Sequence, residues 1–236
     1  MYVLIRETQT YTAALTELSS SFPLPPLERL PSGRHRLTRE AVVESQRGRL
    51  VYAIAQVVAE KGYAAATVAD VVDRASVSRS TFYDQFPDKE TCFLAAFNEG
   101  AEFVLNRMHS AANSLGPKRD WRSHIRSDVE TYLAVLASEP AFAFALHVEV
   151  LAAGPAALAR RAEIQALLTA RTRRIHEQAR ELDPSLRELP PELFAIHTGG
   201  MDELIRECLR TRGPNGLADL CEPVVQATLA MLAAQD

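Results

Sequence analysis

Residues 67 to 89, TVADVVDRASVSRSTFYDQFPDK, leave few ways to fold. Thr67 and Asp70 stand at capping-box spacing, in which each side chain satisfies a backbone donor of the other's turn and starts a helix. Val68, Val71 and Val72 then give that helix an inward face. The run Ala75-Ser76-Val77 is too short for a loop of its own and reads as a tight turn, with Val77 filling the gap between two helices. Ser78 caps the second helix. On it Phe82 and Phe86, four apart, share the buried side, while Arg79, Ser80, Thr81 and Tyr83 lie near its start. Polar reach and apolar anchoring are separated by face, as a helix laid against DNA requires.

From about residue 39 to residue 97 the pattern resembles the DNA-binding signature of the TetR-type (tetracycline-repressor) family of bacterial transcriptional regulators. The resemblance rests on Thr67, the turn at 75 to 78, the Thr81-Phe82-Tyr83 triplet, Phe86, and Lys89 after Pro87-Asp88. The family usually has glycine where Ser76 stands; if the turn needs φ > 0 there, serine bears a strain that glycine would not. The resemblance implies a homodimer on a palindromic double-stranded operator. It also implies a terminal helix pair forming a four-helix bundle with its copy, and a small-molecule effector that tilts the fourth helix and releases DNA.

Length and composition fit this expectation. The 236 residues, 47% hydrophobic, are ample for a core, and abundant Ala, Leu, Glu and Arg with almost no alternating runs favour an all-α fold. The net charge of -4 does not advertise nucleic-acid binding, but between residues 34 and 49 the arginines at 34, 36, 39, 47 and 49 outnumber Glu40 and Glu44. Cys92, Cys208 and Cys221 form no CxxC, which fits a reduced, cytoplasmic setting. The start lacks a secretory pattern, and the apolar stretch 141 to 151 is interrupted by His147 and Glu149, so no membrane span is expected.

Three regions are expected: an N-terminal extension at 1–38, flexible or arm-like; a three-helix helix-turn-helix DNA-binding domain at 39–87; and a helical ligand-binding and dimerisation domain at 88–236. Gly62 suits the end of the first helix, and Pro87-Asp88-Lys89 opens a long fourth helix. Downstream, Gly-Pro and similar pairs divide the chain into further helices, with apolar stripes at 121 to 136, 142 to 151 and 164 to 182 and a terminal pair at about 191 to 212 and 217 to 234.

For DNA, Arg79 is expected at a base edge or phosphate, Ser80 and Thr81 near bases, and Thr67, Ser78, Tyr83 and Lys89 on phosphates. Arginine bridges two acceptors of guanine, hydroxyls and helix N-termini suit phosphate oxygens, and lysine is a mobile point charge. Arg34, Arg36 and Arg39 form a possible minor-groove arm, with a flexible tail as the competing account. A pocket for an apolar effector is expected from Phe103, Met108, Trp121, Tyr132, Phe142, Phe144 and His147, against ordinary core places for each. The dimer interface is expected from Leu193, Ile196, Gly200, Leu204 and Cys208 on one terminal helix and Leu217, Cys221, Val224 and Thr228 on the other. Gly199-Gly200 reads either as a close-approach point or as a kink.

The H-x-E of His147 and Glu149 is poor ligand spacing on a helix, and neither a metal nor a cofactor is expected. The sequence contains no GxSxG, no phosphate-cradling glycine loop and no HExxH, which weighs against a helical-bundle enzyme. An activator and a ligand-independent DNA binder stand as alternatives to a ligand-released repressor.

Overall fold

The computed structural model describes residues 39 to 114 and 120 to 233, and the expected arm residues Arg34 and Arg36 lie outside them. Among the described residues the chain is all-α. It runs through α1 (Arg39–Lys61), α2 (Val68–Ala75), α3 (Arg79–Gln85), α4 (Lys89–Ser114), α5 (Trp121–Ser138), α6 (Pro140–His147), α7 (Pro155–Leu182), α8 (Pro191–Thr211) and α9 (Cys221–Leu232). Short 3-10 turns occupy Glu149–Ala152 and Pro214–Leu220. No single helix among them is long and apolar enough to cross a membrane.

Helix α1 buries Leu50, Ile54, Val57 and Val58 and stops at Gly62, whose φ of 80° suits only a residue without Cβ. Val71 and Ala75 of α2 and Phe82 of α3 close against it. Helix α4 is the spine: Phe93, Ala96 and Phe97 near its start, and Val104 and Met108 further along, are all buried in one continuous core. That core runs across residue 88, so the helix-turn-helix and the body pack as neighbours rather than as beads on a linker. A smaller cluster of Ile125, Ile175, Leu189, Phe194 and Leu232 closes the far end.

Two helix boundaries differ from expectation. The stripe 142 to 151 breaks after His147, because the chain turns into a 3-10 segment there. The helix that carries the stripe 164 to 182 runs from Pro155 to Leu182, between the expected breaks at Gly154-Pro155 and Asp183-Pro184, with proline tolerated in its first turn. The last helix starts at Cys221 instead of 217: Gly213 (φ 71°) and Pro214 open a tight turn, and a Cβ on buried Gly216 would lie only 2.8 Å from the Arg212 Cβ. Helix α8 passes through Gly199-Gly200 unbroken.

Candidate nucleic-acid interface and the cavity behind it

The helix-turn-helix is built by its caps. Thr67 Oγ1 accepts from the Asp70 amide at 3.2 Å, while Asp70 Oδ2 accepts from the Thr67 amide at 3.0 Å, completing the capping box. Lys61 donates to the same carboxylate at 2.5 Å, and these hydrogen bonds, with Lys61 first and Thr67 next, hold Asp70 down to about 2. Helix α2 ends on Ser76 at φ 52° and ψ 48°, the left-handed conformation that the turn demanded. The Val77 amide reaches back to the Val72 carbonyl at 3.1 Å, and Arg49 donates to the Ala75 carbonyl at 3.0 Å.

Ser78 caps α3 by accepting from the Thr81 amide at 3.0 Å, and its hydroxyl lies 2.8 Å from those of Ser80 and Thr81. Phe82 and Phe86 are buried with ring centroids 5.9 Å apart. On the opposite side Arg79 and Ser80 are exposed, and Tyr83, 48% exposed, lies under the Arg79 guanidinium at 5.8 Å. The outward face of α3 is therefore a row of hydroxyls, one guanidinium and one phenol, set on a buried aromatic pair.

Some expected DNA contacts are committed elsewhere. Lys89 is not a mobile point charge: its ammonium donates to the carbonyls of Tyr63 at 2.7 Å and Ala66 at 2.9 Å and sits 4.2 Å from the Tyr63 ring centre. Thr67 already gives its hydroxyl proton to Asp70 at 2.7 Å. Arg47, counted in the basic front, pairs with Glu99 at 2.5 Å and covers the Phe86 ring, and Arg49 serves the turn. The front is thus less basic than the count of arginines implied. Helix α1 starts at Arg39, whose side chain lies outside what is described.

Behind α4 two neighbouring cavities, each of about 30 Å³, share Tyr132, Leu168, Thr198 and Met201 in their walls. The first also touches His147, Arg161 and Asp202, the second Met108, Asp128 and Arg171. Of the expected pocket residues, Tyr132, His147 and Met108 are therefore at cavities. Phe142 packs in the main core, Phe103 and Phe144 are partly buried against it, and Trp121 packs against the far cluster. Their aromatic character marked burial, and periodicity alone does not distinguish a core wall from a cavity wall.

Sequence reading missed Asp128, Arg161, Arg171 and Asp202 here, which are scattered along the chain and show no short spacing. Asp202 accepts from His147 Nδ1 at 2.8 Å and Arg161 at 2.5 Å, and also pairs with Arg206. With Nδ1 donating to the carboxylate, His147 Nε2 lies 3.3 Å from the Tyr132 hydroxyl. Burial pushes the Asp202 carboxyl up, but His147 and Arg161 outweigh it and hold it below its ordinary value. Arg171 clasps Asp128 with two bonds, at 2.5 and 2.7 Å.

Of the expected dimer residues, Cys208, Leu217, Val224 and Thr228 are buried inside the protomer, so they belong to its own core. Leu193 and Cys221 are half-buried. Ile196 at 68% and Leu204 at 51% exposure face outward with Gly200 between them, and nothing would lie within 4 Å of a Cβ at Gly199 or Gly200.

The family model described as "Bacterial regulatory proteins, tetR family" matches residues 50–96. The chain is similar to the transcriptional activator FasR of Mycolicibacterium smegmatis, 29% identical over 105 residues that cover 44% of this chain and 47% of FasR. It is also similar to the transcriptional regulator CymR of Pseudomonas putida, 36% identical over 89 residues that cover 38% of this chain and 43% of CymR. The match thus spans less than half the length of these curated relatives. The fold is shared with FadR of Bacillus subtilis, solved with stearoyl-CoA, at a TM-score of 0.65 and 19% identity over 79% of this chain and 97% of that one.

Proposed function

We propose, on the match of residues 50–96 to the tetR family of bacterial regulatory proteins, that this chain is a transcriptional regulator that binds a palindromic operator as a homodimer and is released by an apolar small molecule. The observation that carries the reading is the outward face of α3, with Arg79, Ser80 and Tyr83 exposed over buried Phe82 and Phe86. Arg79 reads a base edge, and the hydroxyls of Ser78, Ser80 and Thr81 at the helix start meet phosphates and bases. Two copies joined through the Ile196, Gly200 and Leu204 face of α8 would present two such helices to half-sites roughly 34–36 Å, or a multiple, apart. Such a protein works at the nucleoid, in the cytoplasm.

The effector site is the pair of cavities behind α4, whose walls are mostly aliphatic and aromatic. Stearoyl-CoA, found in the FadR structure, is the first probe. FasR is named an activator, so activation is the second reading.

Duplexes selected from a random pool by the full-length protein test the proposal. A salt-sensitive complex with a recurring palindrome is expected, and Arg79→Ala should weaken it by about 1–3 kcal/mol and relax one base position. Equal loss on every sequence would make Arg79 a phosphate contact, and absence of sequence preference would sink the reading. A reporter behind the selected site separates repression from activation.

A further inference from the structure

We propose that Glu149 is the latch through which the cavity governs the helix-turn-helix, an inference that rests on the DNA-reading function above and assigns the route of its regulation. Glu149 belongs to the body, yet its Oε2 accepts from the backbone amide of Tyr63 at 2.7 Å. Tyr63 lies in the segment 62 to 66 that joins α1 to the cap of α2. The same segment is also held by Lys89, which donates to the carbonyls of Tyr63 and Ala66. A carboxylate and an ammonium thus fix the tether from which α2 and α3 hang.

The other end of the latch is in the cavity wall. Two residues before Glu149, His147 is held by Asp202 at 2.8 Å, and its carbonyl accepts from Arg206 at 2.8 Å. Helix α6, which His147 ends, has no slack at its front: Phe142 packs against the Tyr52 ring of α1 at 5.8 Å, and a Cβ on Gly100 of α4 would come within 2.8 Å of it. A displacement of His147 therefore passes into the short backbone that carries Glu149 rather than being absorbed in α6.

Each cavity, at about 30 Å³, has room for little more than water. An organic effector needs several hundred cubic ångströms, so entry must move the wall. Moving His147 withdraws Glu149 from the Tyr63 amide and frees the tether, and the two recognition helices lose their fixed attitude. By linkage, DNA binding keeps the latch closed and opposes entry of the effector by the same factor.

The test replaces the unidentified effector by filling the cavity with Met201→Phe, and with Leu168→Phe as a second filling variant, in the full-length protein. Two readouts are taken: amide hydrogen exchange in residues 63 to 66, and affinity for a duplex selected by the unsubstituted protein. Filling is expected to speed exchange at these amides and to weaken the duplex complex by about tenfold. In a Glu149→Ala background, where exchange is already fast, filling is expected to change neither any further. The same loss of affinity with and without Glu149, or no change in exchange on filling, would overturn the latch. If the unsubstituted protein selects no duplex, the DNA-reading function fails, and the exchange data still decide whether the cavity and the tether are coupled.

Discussion

Ser76 is the sole non-glycine residue with positive φ among the described residues, and it occupies a turn that carries the whole helix-turn-helix. A side chain in the left-handed region costs about 1–2 kcal/mol relative to the right-handed one, a penalty that glycine avoids while giving back part of the gain as greater freedom when unfolded. Ser76→Gly is therefore expected to stabilise the protein by about 0.5–1 kcal/mol, read as a higher midpoint in urea unfolding. No change would mean that the hydrogen bonds from Arg49 and within the turn already relieve the strain. At the other end of α2, Asp70 is held down to about 2 by Lys61 and Thr67. An unfolded aspartate titrates near 3.9, so this stabilisation is complete above about pH 4 and is lost as pH falls through about 2. The advantage of the unsubstituted protein over Asp70→Asn should shrink across that window, and a difference independent of pH would remove the carboxylate's role.

At the scale of elements, the body is pinned by ion pairs that cross between helices. Asp128 of α5 and Arg171 of α7 are both nearly buried and doubly bonded, so removing one leaves an uncompensated charge in the core. Asp128→Ala is expected to destabilise by about 3–5 kcal/mol in denaturant unfolding, whereas replacing both partners by leucine should cost far less. If the double replacement costs as much as the single one, packing rather than charge sets the loss. This contrast also explains what the sequence disclosed. The caps at Thr67 and Ser78 depend on residues three apart, so local spacing revealed them. Arg171 and Asp128 are 43 positions apart, and Arg161 and Asp202 are 41 apart, and no periodicity joins such pairs. The partners of Lys89, the carbonyls of Tyr63 and Ala66, likewise come from a loop that only the tertiary fold brings near. The apolar residues of α8 surround much of the helix, and the sequence does not say which side meets the protomer's own core.

For the whole molecule, a formal charge of -4 means that attraction to DNA must come from how charge is distributed, and a second copy doubles the single outward guanidinium of α3, that of Arg79, on one duplex. In the proposed function self-association is therefore part of the DNA-binding chemistry, and α8 offers a direct way to examine it. Ile196, Gly200 and Leu204 recur every fourth residue along one outward stripe. Within a lone protomer a Cβ on Gly200 meets nothing, so Gly200→Ala should only gain helix propensity, about 0.8–1 kcal/mol. Against a partner helix in close approach the same methyl group intrudes on facing side chains and should weaken the dimer. Sedimentation over a concentration series distinguishes the two, with the dissociation constant expected to rise by about tenfold for Gly200→Ala, and Leu204→Glu expected to yield monomers. Unchanged association together with a more heat-stable protein would place the α8 stripe in solvent. The pairing surface would then have to be sought on another face, and the spacing of the two α3 helices on DNA would be set from there.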